Sequence, residues 1–336
     1  MHFINPLFSS HLKLARRKGL DEHAHIYFWG RKNFPDVEAF AAEHKIPIYR
    51  VEDGFIRSVA LGSDLTQPYS QVIDKQGIYF DPTQPSDLEE ILGSYDFAND
   101  PQLIERAKRL KKQIILNKIS KYNADSDRTV DFSSQWKTVA LVAGQVEDDA
   151  SIKYGANGMT NLELLQTVKK HYPDRYIIFK PHPDVLSGNR VGNIPEEEAL
   201  QYCDEVITDI GMGSMLAAVD EVHTMTSLTG FEALVYGKSV YTYGMPFYAG
   251  WGLTTDREQC SRRTRKLDVD ALVAAVYLLY PRYISPQTMQ QCEAEDVIRE
   301  LKAQKEALEH SWLLRAKFKT HNTLSRVSQK LLSFLK

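Results

Sequence analysis

Short apolar runs alternate with helical periodicities along this chain. His25 to Gly30 (HIYFWG), Ile46 to Val51 (IPIYRV) and Gln76 to Phe80 (QGIYF) predict three strands, with a helical pattern from Pro35 to His44 between the first two. From Pro101 to Tyr122 apolar residues recur at helical spacing among lysines and arginines, which predicts an amphipathic basic helix with a solvated cationic face. The polar stretch Asn123 to Gln135 (NADSDRTVDFSSQ) reads as a linker.

A second alternation follows. Thr138 to Ala143, Tyr176 to Lys180 (YIIFK), Glu205 to Thr208, Glu221 to Met225 (EVHTM) and Ser239 to Tyr243 predict strands. Asn161 to His171, Met212 to Val219 and Gly230 to Tyr236 predict helices. Strands alternating with helices imply α/β architecture with parallel sheets. The expectation is two Rossmann-like halves, residues 1–125 and 136–285, with residues 290–336 packing back on the first. Such halves enclose a cleft, and the carboxyl ends of their strands face it. Glu52-Asp53, the triplet Glu147-Asp148-Asp149 and His182 all fall at such ends, although they are far apart in sequence.

Composition narrows the classes. The chain of 336 residues is 43% hydrophobic and 25% charged, ordinary values for a soluble globular protein. A net charge of -3 supplies no global basic field, which argues against nucleic acid as a partner. Cys203, Cys260 and Cys292 are isolated and odd in number, so they suggest a reducing compartment and neither a disulfide framework nor a zinc site. The first twenty residues lack the charge order of a secretory signal. The longest apolar run, Ala271 to Tyr280, is about half a membrane span. A cytoplasmic protein is expected.

Several motifs carry chemistry. Gly211-Met212-Gly213-Ser214 has two glycines in frame for a dinucleotide fingerprint, but Leu216 occupies the third position, and there is no P-loop. In TSLTGFEALVYGK, Thr226, Ser227 and Thr229 precede a helix opening near Gly230, where free N–H groups and the helix dipole favour an anion. Glu232 in its first turn could accept from ribose hydroxyls; a plain Ser/Thr cap with a compensating glutamate is the structural alternative. In FKPHPDV two prolines fix the backbone around His182 and keep it available to an anion or a leaving group, with Lys180 adding charge nearby. VEDGFIRS places Glu52 and Asp53 before a turn at Gly54, with Arg57 near enough to pair an acid. GQVEDDASIKYG opens with three acids at the mouth of a strand; these read either as a solvated helix cap or as reactive carboxylates.

The strings VEDGFIRS, GQVEDDASI, KPHPD, DEVHTMTSLTGFEALVYGK and PFYAGWG, in that order between residues 50 and 255, resemble the capsular polysaccharide β-Kdo transferases of the KpsC type. The resemblance implies a GT-B-like fold, with a first half that binds acceptor and a second that binds the donor, CMP-β-Kdo. Family members often carry two such modules in tandem, and this chain has the length of one. The resemblance also implies a product that keeps the β configuration. Double displacement then needs a carboxylate nucleophile and a second group for proton transfer. Asp149 is the expected nucleophile with Asp148 as the alternative, and Glu52 the expected acid/base with Asp53 behind it. The carboxyl groups of Asp149 and Glu52 are expected to face each other across the cleft. His182, Ser227 and Thr229 would hold the CMP phosphate, and Arg57 or Lys153 would pair the Kdo carboxylate. No metal or other cofactor is implied, although the acidic triplet could alternatively hold Mg²⁺.

Two other classes stay open at this level: an inverting CMP-sialate-type transferase, and a non-catalytic module that binds a nucleotide sugar or glycan. Ser311 to Lys336 carries six Lys/Arg and no acid, with Leu324, Val327, Leu331 and Phe334 at helical spacing. It reads either as a closing helix or as an interfacial helix on an anionic inner leaflet, which would suit a lipid-linked acceptor.

Overall fold

A computed structural model describes residues 25–59, 66–123, 128–132, 137–188 and 190–311. The basic tail from residue 312 and most of the expected linker lie outside the described residues.

The chain opens with β1 (Ile26–Trp29) parallel to β2 (Ile48–Asp53), and the helix Pro35–Glu43 connects them. The next strand, β3, is Ser70–Asp74, and it runs antiparallel to β2. The strand expected at Gln76–Phe80 is instead a turn. The Asp74 carboxylate causes it, accepting from the N–H groups of Gln76 (2.9 Å), Gly77 (2.8 Å) and Asp87 (3.0 Å). The apolarity of this segment has another use, because Ile78 is buried in the core and Tyr79 and Phe80 line the cleft described below.

The basic helix Pro101–Leu116 stops earlier than its pattern suggests. Asn117 caps it, and Lys118 adopts a left-handed conformation (φ 48°) that turns the chain inward. Asn123, expected to begin a linker, is buried and donates to the carbonyls of Ser58 and Ser120.

The second sheet is all parallel. Its strands are β4 (Val139–Ala143), β5 (Tyr176–Lys180), β6 (Glu205–Val206), β7 (Glu221–Thr224), β8 (Ser239–Thr242) and β9 (Thr255–Asp256), in spatial order β6-β5-β4-β7-β8-β9. Its central strand reads VALVA and is buried throughout, as a parallel strand covered on both faces requires.

The chain then returns to the first sheet. Residues 281–285, assigned by sequence to the second half, form β10 (Pro281–Ser285), antiparallel to β3, and β11 (Gln290–Cys292) pairs beside it. The first sheet is therefore mixed, in the order β1-β2-β3-β10-β11. The helix Ala294–His310 packs against β10 and the helix Pro101–Leu116. Tyr69 and Ser285 both donate to Glu300 on it, at 2.8 and 3.0 Å.

The result is α/β, two sheet-bearing halves of GT-B-like arrangement around a cleft. One apolar cluster runs under both halves. Phe55 from the first stacks obliquely on Phe247 from the second, with ring centroids 5.1 Å apart. Among the described residues no helix is long and apolar enough to cross a membrane.

Candidate active site

A cavity of about 500 Å³ lies between the halves. The carboxyl ends of β1, β2, β4 and β5 supply Gly30, Glu52, Gly144 and Lys180 to its wall, and the turn after β7 supplies Thr226. This is the crevice position that ligands take in open α/β sheets.

From the first half, Glu52 and Asp53 reach the cavity at the end of β2. Gly30, at φ 59°, makes room for the glutamate, because a Cβ there would stand 3.0 Å from Glu52 Oε2. Glu52 Oε1 accepts the Asp53 N–H at 2.9 Å. Burial raises its carboxyl to about 7, and the charges of Asp53 and Asp149 add to the rise against the pull of Lys121. Asp53 Oδ2 accepts from Arg57 Nε at 2.5 Å, while its buried Oδ1 has no hydrogen-bond partner among the described residues.

The acidic triplet disperses. Glu147 accepts from the N–H of Asn161 at 2.7 Å, fixing the start of the helix Asn161–His171. Asp148 points outward and pairs with Arg190 at 3.0 Å. Asp149 alone of the three lines the cavity. It caps the helix Ala150–Gly155, and its Oδ1 accepts from the N–H (2.9 Å) and the hydroxyl (2.8 Å) of Ser151. Oδ2 has no bond among the described residues. The three carboxylates do not converge as a shared cation would require, and no cluster of three His, Cys, Asp or Glu suited to a metal occurs among the described residues.

On the donor side, His182 and Lys180 line the cavity together with Ser227, Thr229 and Glu232. His182 Nδ1 accepts the N–H of Asp184 at 3.1 Å, which places the ring proton on Nε2. Burial lowers its basicity, so it is a neutral donor at neutral pH. Gly144 lets β4 end against this segment, since a Cβ there would meet Pro181 Cα at 3.0 Å. Ser227 caps the helix Leu228–Val235 through the Thr229 N–H at 3.2 Å. The Thr226 N–H is occupied by Gln145 Oε1 at 2.9 Å, so Gln145 orients this turn. Gly230 does not line the cavity; it is flattened against Tyr248, whose hydroxyl would stand 2.2 Å from an added Cβ.

Besides Asp148 and Gly230, two more sequence assignments are not placed in the cleft. Arg57 is buried and turned to Asp53 and Ser58, and Lys153 lies over the Tyr154 ring, 5.3 Å from its centroid. Neither lines the cavity. The cations that do are Arg31, Lys32, Lys121, Lys180 and Arg190. Lys121 escapes the sequence pattern because it falls inside the expected helix, whereas it lies past the helix end and in the cleft. Burial acts to discharge its ammonium, but the acidic groups of Tyr79, Tyr122, Asp53 and Glu52 outweigh this and hold it charged. Its backbone N–H donates to Glu232 at 2.8 Å. Burial raises the Glu232 carboxyl to about 7, moderated by that N–H and the Lys121 charge.

The site can therefore offer a carboxylate from each half, a charged lysine in the same cavity, and neutral donors beside a helix start. A family model described as "Capsule polysaccharide biosynthesis protein" matches residues 25–283. The capsule polysaccharide modification protein LipA of Neisseria meningitidis serogroup B is 50% identical over 300 residues, which are 88% of this chain and 42% of LipA. The lipopolysaccharide-processing protein LpsZ of Rhizobium meliloti is 42% identical over 280 residues, 83% of this chain and 64% of LpsZ. The chain thus spans less than half the length of LipA. Among solved structures, Thermosulfurimonas dismutans KpsC, named a beta Kdo 2,4 transferase, superposes with a TM-score of 0.73 at 35% identity, covering 82% of this chain and 86% of that one. A second Thermosulfurimonas dismutans KpsC chain, named a beta Kdo 2,7 transferase, gives 0.65 at 40% identity, covering 84% and 85%.

Proposed function

The chain belongs to the capsule polysaccharide biosynthesis protein family, and on that premise we propose that it is a retaining glycosyltransferase moving Kdo from CMP-β-Kdo to a Kdo-terminated glycan or glycolipid acceptor. The observation that carries this reading is that Asp149 and Glu52, from opposite halves, line one cavity. The names of the similar KpsC chains support Kdo as the sugar.

Asp149, with Oδ2 unengaged among the described residues, attacks C2 of Kdo as CMP departs. The acceptor hydroxyl then attacks the same carbon from the vacated face, the Asp149–C2 ester bond breaks to regenerate the carboxylate, and two inversions restore the β configuration. Glu52 takes the hydroxyl proton in the second step, and a carboxyl near 7 suits a base working at neutral pH. His182 Nε2–H, the Ser227 and Thr229 hydroxyls and Lys180 neutralise the CMP phosphate, and Glu232 accepts from ribose. Lys121 steadies the charge between the carboxylates. With Arg57 and Lys153 outside the cavity, the Kdo carboxylate falls to the cations that line it, Arg31, Lys32 or Arg190.

The test is the product. Incubation with CMP-Kdo and a synthetic Kdo-terminated acceptor should give a β-linked glycoside by NMR. An α-linked product would establish an inverting transferase, and no consumption of CMP-Kdo would leave a binding module.

A further inference from the structure

A second cavity of about 240 Å³ lies beside the first, and the proposed function does not use it. Three chain segments run from one cavity into the other. Phe80 lines the first and Pro82 and Thr83 the second; Ser151 lines the first and Tyr154 the second; Met245 lines the second and Pro246 the first. The two are therefore compartments of one groove between the halves. Their partition is Arg31, which lines the first cavity, pairs with Asp81 at 2.6 Å and sits over the Tyr154 ring at 5.4 Å.

The partition is anchored. Asp81 is buried and also accepts from Thr83 N–H at 3.0 Å, while Arg50 holds the loop from the other side through the Gly30 and Lys32 carbonyls, both at 3.0 Å. On the far wall Arg262 donates to the Pro82 carbonyl at 2.7 Å, and Met245 N–H donates to the Gly155 carbonyl at 2.7 Å. Beside this braced frame, the exposed residues Glu258, Gln259 and Ser261 line the second cavity, and their side chains make no hydrogen bond to the described residues. Polar groups lining an open hollow are what a sugar ring needs, because they give its hydroxyls partners on the ring edges.

Resting on the transferase reading above, we propose that this second cavity is an acceptor subsite that holds the sugar next to the acceptor's terminal residue. The path is short. Glu52 contacts the space beside Gly30, Arg31 follows Gly30 in sequence, and the Arg31–Tyr154 contact opens on the second cavity. A glycan with its terminal hydroxyl at Glu52 lays its next ring past Arg31, and the volume suits one ring.

Two measurements test it on the full chain. In titrations of a Kdo monosaccharide glycoside and a Kdo disaccharide glycoside, the disaccharide should bind roughly tenfold more tightly, as one or two additional net hydrogen bonds allow. Ser261→Tyr, which fills the cavity from an exposed position, and Gln259→Ala should each erase that difference. In turnover, both variants should raise KM for the disaccharide, while KM for the monosaccharide and hydrolysis of CMP-Kdo without acceptor stay at wild-type values. Equal binding of the two glycosides by wild type, or a length preference that survives in both variants, overturns the subsite. Because the titration does not depend on turnover, a wild type that discriminates by length but leaves CMP-Kdo intact keeps the subsite and overturns the transferase reading instead.

Discussion

The hydroxyl of Tyr248 donates to the carbonyl oxygen of Ser227 at 2.6 Å. Tyr248 is fully buried, and its ring fills the space that Gly230 leaves empty. One side chain from the PFYAGWG segment thus fixes both the capping residue and the first turn of the helix beside the proposed phosphate site. Gly230→Ala forces a methyl into a ring that has nowhere to move and should destabilise the fold by about 1–3 kcal/mol, the usual cost of overpacking. Tyr248→Phe loses one neutral bond to a partly buried carbonyl and should cost about 1 kcal/mol. Both variants should bind CMP more weakly than wild type. Urea denaturation and CMP titration check these outcomes, and unchanged CMP binding would confine Tyr248 to packing.

How far the sequence reveals this arrangement differs between the halves. The second sheet is legible because fully buried parallel strands are continuous apolar runs, as VALVA and YIIFK are. The first sheet is not, because β3 buries Ser70 and Gln71. Ser70 is tolerated inside because its hydroxyl reaches the Ile56 carbonyl at 2.6 Å, a partner far away in sequence that no local pattern announces. In the site, the logic of strand ends brings Glu52, Asp149 and His182 to one cavity. It cannot tell which way a side chain turns. Arg57 and Lys153 lie near the acids in sequence, yet Arg57 is buried against Asp53 and Lys153 lies over the Tyr154 ring, and Lys121 enters because the basic helix stops at Leu116.

The halves are also tied by charge. Glu89, on the helix Asp87–Ser94 of the first half, pairs with Arg262 and, at 2.9 Å, with Arg263 of the second. The side chains of Glu89 and Arg263 are 9% and 2% exposed, and Arg263 also donates to the carbonyls of Pro246 (2.6 Å) and Ala249 (2.9 Å). Glu89→Gln leaves a buried guanidinium without its counter-charge and should cost about 3–5 kcal/mol. Burial would raise the Glu89 carboxyl, but the two arginines outweigh it and hold it below the usual range. Its contribution is therefore present above the unfolded-state value, about 4.3, and is lost as pH falls through the lower native one. The stability gap between wild type and variant, measured in urea, should be full at pH 7 and should narrow below about pH 4.

Glu52 behaves in the opposite sense. Its carboxyl is raised to about 7 in the native state, so the native protein holds this proton more tightly than the unfolded chain does. Stability then falls as pH rises from about 4.3 to about 7 and stays lower above that. Glu52→Gln should be the more stable protein at pH 8, by up to about 3 kcal/mol, and indistinguishable from wild type at pH 4. If Glu52 is the base, wild-type transfer should rise with pH through about 7. Glu232 is raised to the same range, so the pH profile of Glu232→Gln assigns the limb. A slower enzyme with the same midpoint leaves it with Glu52, whereas loss of the limb transfers the role to Glu232.

Asp149 and Asp148 are adjacent carboxylates with opposite surroundings, which makes the choice of nucleophile decidable. Asp148 is half exposed and, among the described residues, engaged only with Arg190, a surface pair worth about 0–1 kcal/mol. Asp148→Asn should therefore leave both stability and transfer close to wild type. Asp149 faces the cavity as a helix cap, and asparagine caps helices as well as aspartate does. Asp149→Asn keeps an oxygen for the Ser151 N–H, so it should fold and bind CMP normally. It removes the anionic oxygen that would form the ester with C2 of Kdo, so it should lose nearly all transfer. Intact-protein mass spectrometry of wild type with CMP-Kdo and no acceptor should show one added Kdo residue, and peptide mapping should place it on Asp149. An adduct on Asp148 would move the nucleophile by one residue and require the loop to turn inward during the reaction. No adduct at all, together with β-linked product from Asp149→Asn, would overturn double displacement through this carboxylate.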